Sequence, residues 1–152
     1  MRYLAVLFAT LVLAACSSAP ATSRESQPAR PNPGSAPESQ KTSIDSAVQF
    51  LLTSAATDFH THRPPDPARF RDVRIGHFTN ADGKEQYILC GQFLPAQEGG
   101  KAEWVPFATI KTSGYEQWLG AQATEYCQRS SVVWDQVGDL SSSLQSRFDS
   151  LR

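Results

Sequence analysis

The sequence has little of what nucleic-acid-binding, membrane-spanning or catalytic proteins require. Its 152 residues include three cysteines, three histidines and one methionine, and the formal net charge is −1. In residues 43–152, ten Lys and Arg stand against thirteen Asp and Glu, so we expect no nucleic-acid partner. No G-x-S-x-G, S-x-x-K, H-E-x-x-H or G-x-x-x-x-G-K-[ST] motif occurs. We therefore expect a protein that is not an enzyme and carries no cofactor.

The most apolar stretch of the chain is short and lies at its N-terminus. It covers residues 3–15, directly after Arg2. Thirteen residues are too few for a membrane-spanning helix, which needs about 20. A positive start, an apolar segment and a small-residue end are typical of a cleaved signal peptide. We expect residues 1–15 to be that signal peptide.

The apolar stretch ends in Leu13-Ala14-Ala15-Cys16, which resembles the lipobox of bacterial lipoproteins. The resemblance implies that a diacylglycerol is attached to the Cys16 thiol, that the chain is cleaved before Cys16, and that the new amino group is acylated, for example with palmitate. Several acyl chains give stable anchoring. Serine at position 17, rather than aspartate, implies sorting to the inner leaflet of the outer membrane, facing the periplasm. A plain secretory signal followed by an unrelated cysteine is the alternative.

The segment that follows has the composition of a linker. Residues 17–41 contain five of the ten prolines, many Ser and Ala, and no aromatic residue. Such a segment buries too little apolar surface to fold, and its prolines favour an extended chain. We expect residues 16–42 to be the lipidated cysteine and a disordered tether. Residues 43–152 are enough for one small domain.

The domain is predicted to be α+β. Thr42 and Asp45 resemble a capping box before an amphipathic N-terminal helix that includes Phe59 and stops before Pro64. Three runs rich in β-branched and aromatic residues predict a three-stranded antiparallel meander, over residues 70–79, 86–94 and 103–111. One or two C-terminal helices are expected to pack on the sheet, one over residues 115–126 and one after Asp139.

The two cysteines that remain after Cys16 is assigned to the lipid are Cys90 and Cys127. In an oxidising periplasm an isolated pair is most simply a disulfide. No Cys/His signature marks either of them as a nucleophile. We expect a Cys90–Cys127 disulfide that joins the middle strand to the second helix.

The histidines give an alternative function, and a structural spacer is a third. Asp58, His60 and His62 resemble the D-x-H-x-H start of metal-dependent amidohydrolases, and His77 would supply a third metal ligand. The alternative is therefore a small metal-dependent hydrolase using these three histidines. Those enzymes use a much larger barrel, and the motif here lies at a helix end. We expect no metal.

Other charged and aromatic residues are expected to be structural. Four arginines lie near the histidines in sequence, at positions 63, 69, 71 and 74. On a regular strand Arg71 and Arg74 point to opposite faces, which predicts an ordinary charged surface; the alternative is a locally positive face that binds an acidic partner or lipid headgroups. The tryptophans and most tyrosines are expected in the core, the alternative being a ligand groove.

Short motifs across the domain resemble those of small uncharacterised domains from proteobacterial lipoproteins and phage-associated proteins. The shared pattern is F-R-x-V … C-G … W … C, here Phe70-Arg71-Asp72-Val73, Cys90-Gly91, Trp118 and Cys127. The resemblance implies no activity. With no catalytic motif, we expect a binding or accessory module, held to the membrane by the lipid on Cys16, that binds another envelope protein or the cell wall.

Overall fold

The computed structural model describes residues 36–62, 65–96 and 103–152. The predicted signal peptide, Cys16 and Arg63 lie outside these residues. The elements are α1 (Ala36–Thr61), β1 (Pro67–Thr79), β2 (Glu85–Pro95), β3 (Val105–Lys111), β4 (Tyr115–Leu119), α2 (Ala121–Cys127), β5 (Val133–Trp134) and α3 (Ser141–Asp149). The predicted α+β class is confirmed. In the described part of the chain, no helix is long and apolar enough to cross a membrane.

The strands form one five-stranded antiparallel sheet in the order β4-β3-β2-β1-β5. The predicted three-stranded meander is therefore a four-stranded one, β1 to β4, and β5 adds a short edge strand beside β1. The prediction of one helix over residues 115–126 was wrong for its first half, because Tyr115–Leu119 form β4. Leu119 packs on one side of the sheet and its neighbour Trp118 on the other, as in a strand. Gly120, with φ 64°, ends β4, and α2 begins at Ala121.

Helix α1 begins earlier than the sequence predicted. Thr42 lies inside it rather than at its cap, because the helix starts at Ala36. Proline is tolerated in a first helical turn, where its missing N–H has no intrahelical partner, so Pro37 does not prevent this early start. The predicted apolar stripe is confirmed, and its buried members are Ala47, Val48, Leu51, Leu52, Ala55 and Phe59.

The sheet has two differently covered sides. We call the side that carries Leu89 and Phe107 the helical side, because α1 and α3 pack against it. Phe59 of α1 is central there, with ring centroids 5.0 Å from Phe93 and 5.4 Å from Phe107. We call the opposite side, which carries Cys90, the disulfide side. Helix α2 contacts mainly β3 and β4 on that side, which leaves the surface over β1 and β2 open.

The start of α3 is fixed by Asp139, the residue predicted to cap it. The N-cap position is Leu140, and the Asp139 carboxylate accepts hydrogen bonds from the Ser141 N–H at 2.9 Å and the Ser141 hydroxyl at 2.5 Å. These bonds lower the pKa of Asp139 below its usual value. The Leu140 N–H donates to the Val73 carbonyl at 2.7 Å. Helix α3 is thereby joined to β1.

Candidate functional site

A groove of about 810 Å³ lies on the disulfide side, over β1 and β2. One wall is the end of α2, and the other is the segment that joins β5 to α3. Its lining includes Asp72 and Arg74 from β1, Cys90 and Gln92 from β2, Cys127 and Gln128 at the end of α2, and Trp134, Asp135, Gln136 and Asp139 from the opposite wall. Its size is within the range of ligand-binding clefts.

The predicted disulfide is present and borders this groove. Cys90 and Cys127 are bonded, with Cα atoms 6.0 Å apart. The bond ties the end of α2 to the second strand, across a sequence separation of 37 residues. A loop of this length corresponds to about 4 kcal/mol in the chain-entropy description of disulfides. The disulfide therefore fixes one wall of the groove relative to the sheet.

A β-bulge at Asp72 sets the direction of two arginines. Asp72 has φ 54°, and the pairing of β1 with β2 shifts between Arg71 and Arg74. As a result Arg71 lies opposite Gln92 and Arg74 lies opposite Cys90. Because Cys90 and Gln92 are two residues apart in one strand, both arginines point to the disulfide side. The prediction that these arginines point to opposite faces was wrong, since the bulge adds one residue.

The bulge is held in place by α3. The Val73 N–H donates to the Ser141 hydroxyl oxygen at 3.1 Å, and the Val73 carbonyl accepts the Leu140 N–H described above. Asp72 is the one non-glycine residue with positive φ among the described residues. A left-handed conformation costs a non-glycine residue roughly 1–2 kcal/mol, and such strain is concentrated at functional sites.

Each of these two arginines stacks on a tryptophan. The Arg71 guanidinium carbon lies 4.1 Å from the ring centroid of Trp104, and that of Arg74 lies 4.1 Å from the ring centroid of Trp134. Trp134 lies directly over Gly76, where an added Cβ would be 3.0 Å from the indole ring. Trp134 also packs against the buried cluster of the disulfide side, as do Trp118 and Tyr126, which stack on each other. The predicted core position therefore applies to Trp118 and in part to Trp134, whereas Trp104 belongs to neither buried cluster of the described residues.

The charged groups in and beside the groove differ in their partners. Arg71 donates from Nε to Oε1 of Gln92 at 2.8 Å, and the same Nε lies 3.4 Å from the Asp72 carboxylate. Asp135 lies 3.3 Å from Nδ1 of His77. The Arg74 guanidinium has its ring contact with Trp134, and no side-chain hydrogen bond or ion pair joins it to another residue of the described ranges.

Two of the three histidines proposed as metal ligands lie at the end of α1. Nδ1 of His62 is 3.1 Å from the Asp58 carboxylate, one turn earlier, and His60 lies in the last turn. The Tyr115 hydroxyl donates to the same carboxylate at 3.2 Å. Burial and the charge of Asp58 raise the pKa of Tyr115. This arrangement anchors the helix end to β4.

His77 lies elsewhere. It lines a separate cavity of about 390 Å³ together with Ile44 and Asp135. The 16 residues from Ile44 to His60 span about 24 Å of α1, at a rise of 1.5 Å per residue. The structure therefore does not bring His77 together with His60 and His62. Within the described ranges no three His, Cys, Asp or Glu side chains form a group that could hold a metal ion.

At the level of sequence a groove was only the alternative role of the tryptophans, and one further signal for it exists. Phe70, Val73 and Ile75 are the buried residues of β1 on the helical side. These buried positions are separated by three residues and then by two, whereas a regular strand repeats every two residues, and such a break indicates a bulge.

Comparison with known proteins found no matching family model, no similar curated protein and no similar solved structure.

Proposed function

We propose that this chain is an envelope lipoprotein, anchored by the lipid on Cys16 to the inner leaflet of the outer membrane, whose domain is a non-catalytic binding or accessory module. Its binding surface is the groove on the disulfide side. The partner is another envelope protein or the cell wall.

The anchoring part of the proposal is supported by the order of features at the N-terminus. Arg2, the apolar run, the lipobox and Ser17 follow one another with the spacing of a lipoprotein signal. Changing Cys16→Ser should abolish incorporation of a labelled fatty acid and release the chain from membranes. A Cys16→Ser chain that still fractionates with the outer membrane and carries label would contradict this part.

The binding part is supported chiefly by the strained bulge at Asp72. Without the extra residue, Arg71 and Arg74 would lie on different sides of the sheet. The bulge instead puts both on the open surface, each with its guanidinium stacked on a tryptophan. Arginine and tryptophan are the residue types most enriched at binding hot spots. A structural role alone does not require two such stacks on an uncovered part of a sheet.

Chemical crosslinking in intact cells tests the binding part. We expect one stoichiometric adduct, either a protein or a product that muramidase digestion reduces in size. A Trp134→Ala variant should lose the adduct, whereas Phe50→Ala, which removes an exposed aromatic side chain of α1, should keep it. If wild-type protein forms no adduct in the envelope, or if both variants keep it, the groove has no such role.

A further inference from the structure

We infer that the groove binds a peptide through one of the peptide's carboxylates, which pairs with the guanidinium of Arg74. The inference rests on the proposed binding role of the groove and adds the chemistry of the partner.

Arg74 is oriented and has no competing partner. Its guanidinium lies 4.1 Å from the Trp134 ring centroid, a stack that fixes the plane of the group while its N–H donors remain at the ring edge. No described residue accepts a hydrogen bond from this guanidinium. Arg71 differs, because its Nε already donates to Gln92. A planar guanidinium fork with available donors matches the two oxygens of a carboxylate.

The acidic residues of the groove are already occupied. Asp72 faces Arg71 at 3.4 Å, Asp135 faces His77 at 3.3 Å, and Asp139 accepts both hydrogen bonds of Ser141. None of them forms an ion pair with Arg74. Their three charges disfavour a ligand with many phosphates, since like charges repel within a Debye length. A peptide whose one carboxylate pairs with Arg74 has no further negative charge for these residues to repel.

The remaining polar side chains of the groove suit a peptide backbone. Gln92, Gln128 and Gln136 line it. A side-chain amide offers both a donor and an acceptor, as a peptide group does. Gln92 uses its oxygen for Arg71, which leaves its NH₂ to meet a carbonyl. The groove is large enough for a short extended segment.

Calorimetric titration of the purified full chain in detergent tests the inference. The probe is acetyl-Gly-Gly-Glu-Gly-Gly-amide, which carries one carboxylate, and the same peptide with glutamine in place of glutamate is its neutral counterpart. We expect the acidic peptide to bind and the neutral one to bind at least about tenfold more weakly, because hydrogen bonds to charged groups contribute about 1.5–3 kcal/mol. Arg74→Gln should weaken the acidic peptide about equally, and Arg74→Lys should fall between the two.

Arg129→Gln is the matched control. Arg129 stacks on Tyr126 with the same 4.1 Å separation, and it does not line the groove. The control removes the same charge and the same kind of ring contact, and it should leave binding within about twofold of wild type. Far-ultraviolet circular dichroism and the intact Cys90–Cys127 bond should be the same in all variants.

Three results would overturn the inference. The first is wild-type protein that does not bind the acidic peptide at millimolar concentration, and the second is equal weakening by the Arg74 and Arg129 substitutions. The third is displacement of the peptide by inorganic phosphate at equal concentration, which would identify a phosphate site. If the envelope adduct forms in cells while the acidic peptide fails to bind, the carboxylate chemistry falls and the proposed binding role stands. If no envelope adduct forms and the acidic peptide does not bind, both the proposed binding role and the carboxylate chemistry are refuted.

Discussion

Replacing Gly76 with alanine tests how the wall of the groove is built. Gly76 lies in β1 opposite Trp134 of β5. A Cβ there would be 2.8 Å from the Val133 carbonyl oxygen, 3.0 Å from Trp134 Cε3 and 3.0 Å from Val132 Cγ1. The first contact is to backbone, so β5 must move away from β1. Trp134 would move with it, and Arg74 would lose the ring on which it stacks.

The expected loss of stability combines three contributions. Overpacking costs about 1–3 kcal/mol, and the lost stack of Arg74 on Trp134 costs about 0.5–1 kcal/mol. Alanine restricts the unfolded chain more than glycine does, which stabilises the variant by about 0.4–1 kcal/mol. Gly76→Ala should therefore lower the free energy of unfolding by about 1–3 kcal/mol, measured by urea denaturation with tryptophan fluorescence. Gly114→Ala is the matched control, because a Cβ there would meet nothing within 4 Å.

The two alanine variants must differ for the reasoning to hold. Gly114→Ala should be as stable as wild type or slightly more stable. Gly76→Ala should also bind the acidic peptide more weakly, since Arg74 is no longer held. If Gly76→Ala proves as stable as Gly114→Ala, with unchanged tryptophan emission, the close approach of β5 to β1 is not what positions Trp134.

Two further predictions concern the walls of the groove. Cys90→Ala combined with Cys127→Ala should lower the free energy of unfolding by about 4 kcal/mol in urea denaturation, and a midpoint that does not change on reduction of wild-type protein would argue against this. The pKa of Asp139 is lowered in the folded protein by its bonds to Ser141. Its carboxylate therefore stabilises the fold at pH values above the pKa of the unfolded chain, which is near 3.9. This contribution is lost as the pH falls through the folded pKa. Stability curves of wild type and Asp139→Asn should therefore separate above about pH 4 and converge in stronger acid; parallel curves across this range would show that the bonds do not matter.

Much of the fold follows from periodicity in the sequence. The stripe from Ala47 to Phe59 predicted the buried face of α1, and cysteine parity predicted the disulfide. The strand β4 was assigned to a helix because Tyr115, Trp118 and Leu119 also satisfy helical spacing. Pairing of these residues with β3 decides the outcome, and such long-range pairing is not visible in a five-residue pattern.

The groove could not be predicted in the same way. It depends on one inserted residue, Asp72, and on the start of α3, whose residues hold the bulge from 68 positions away in sequence. A shift of one residue in the register of the strand reverses the side of the sheet to which Arg74 points. Residue types alone therefore predicted an ordinary charged strand, where the folded chain has two oriented arginines on one surface.

A photo-crosslinking amino acid placed in the groove tests most directly whether this surface binds the partner. Position 128 is suitable, because Gln128 is exposed and lines the groove. Position 143 is the control, since Ser143 is exposed on α3 and does not line it. In intact cells we predict a discrete adduct from position 128, lost on Arg74→Gln, and none from position 143. Equal adducts from both positions, or none from position 128, would contradict the account.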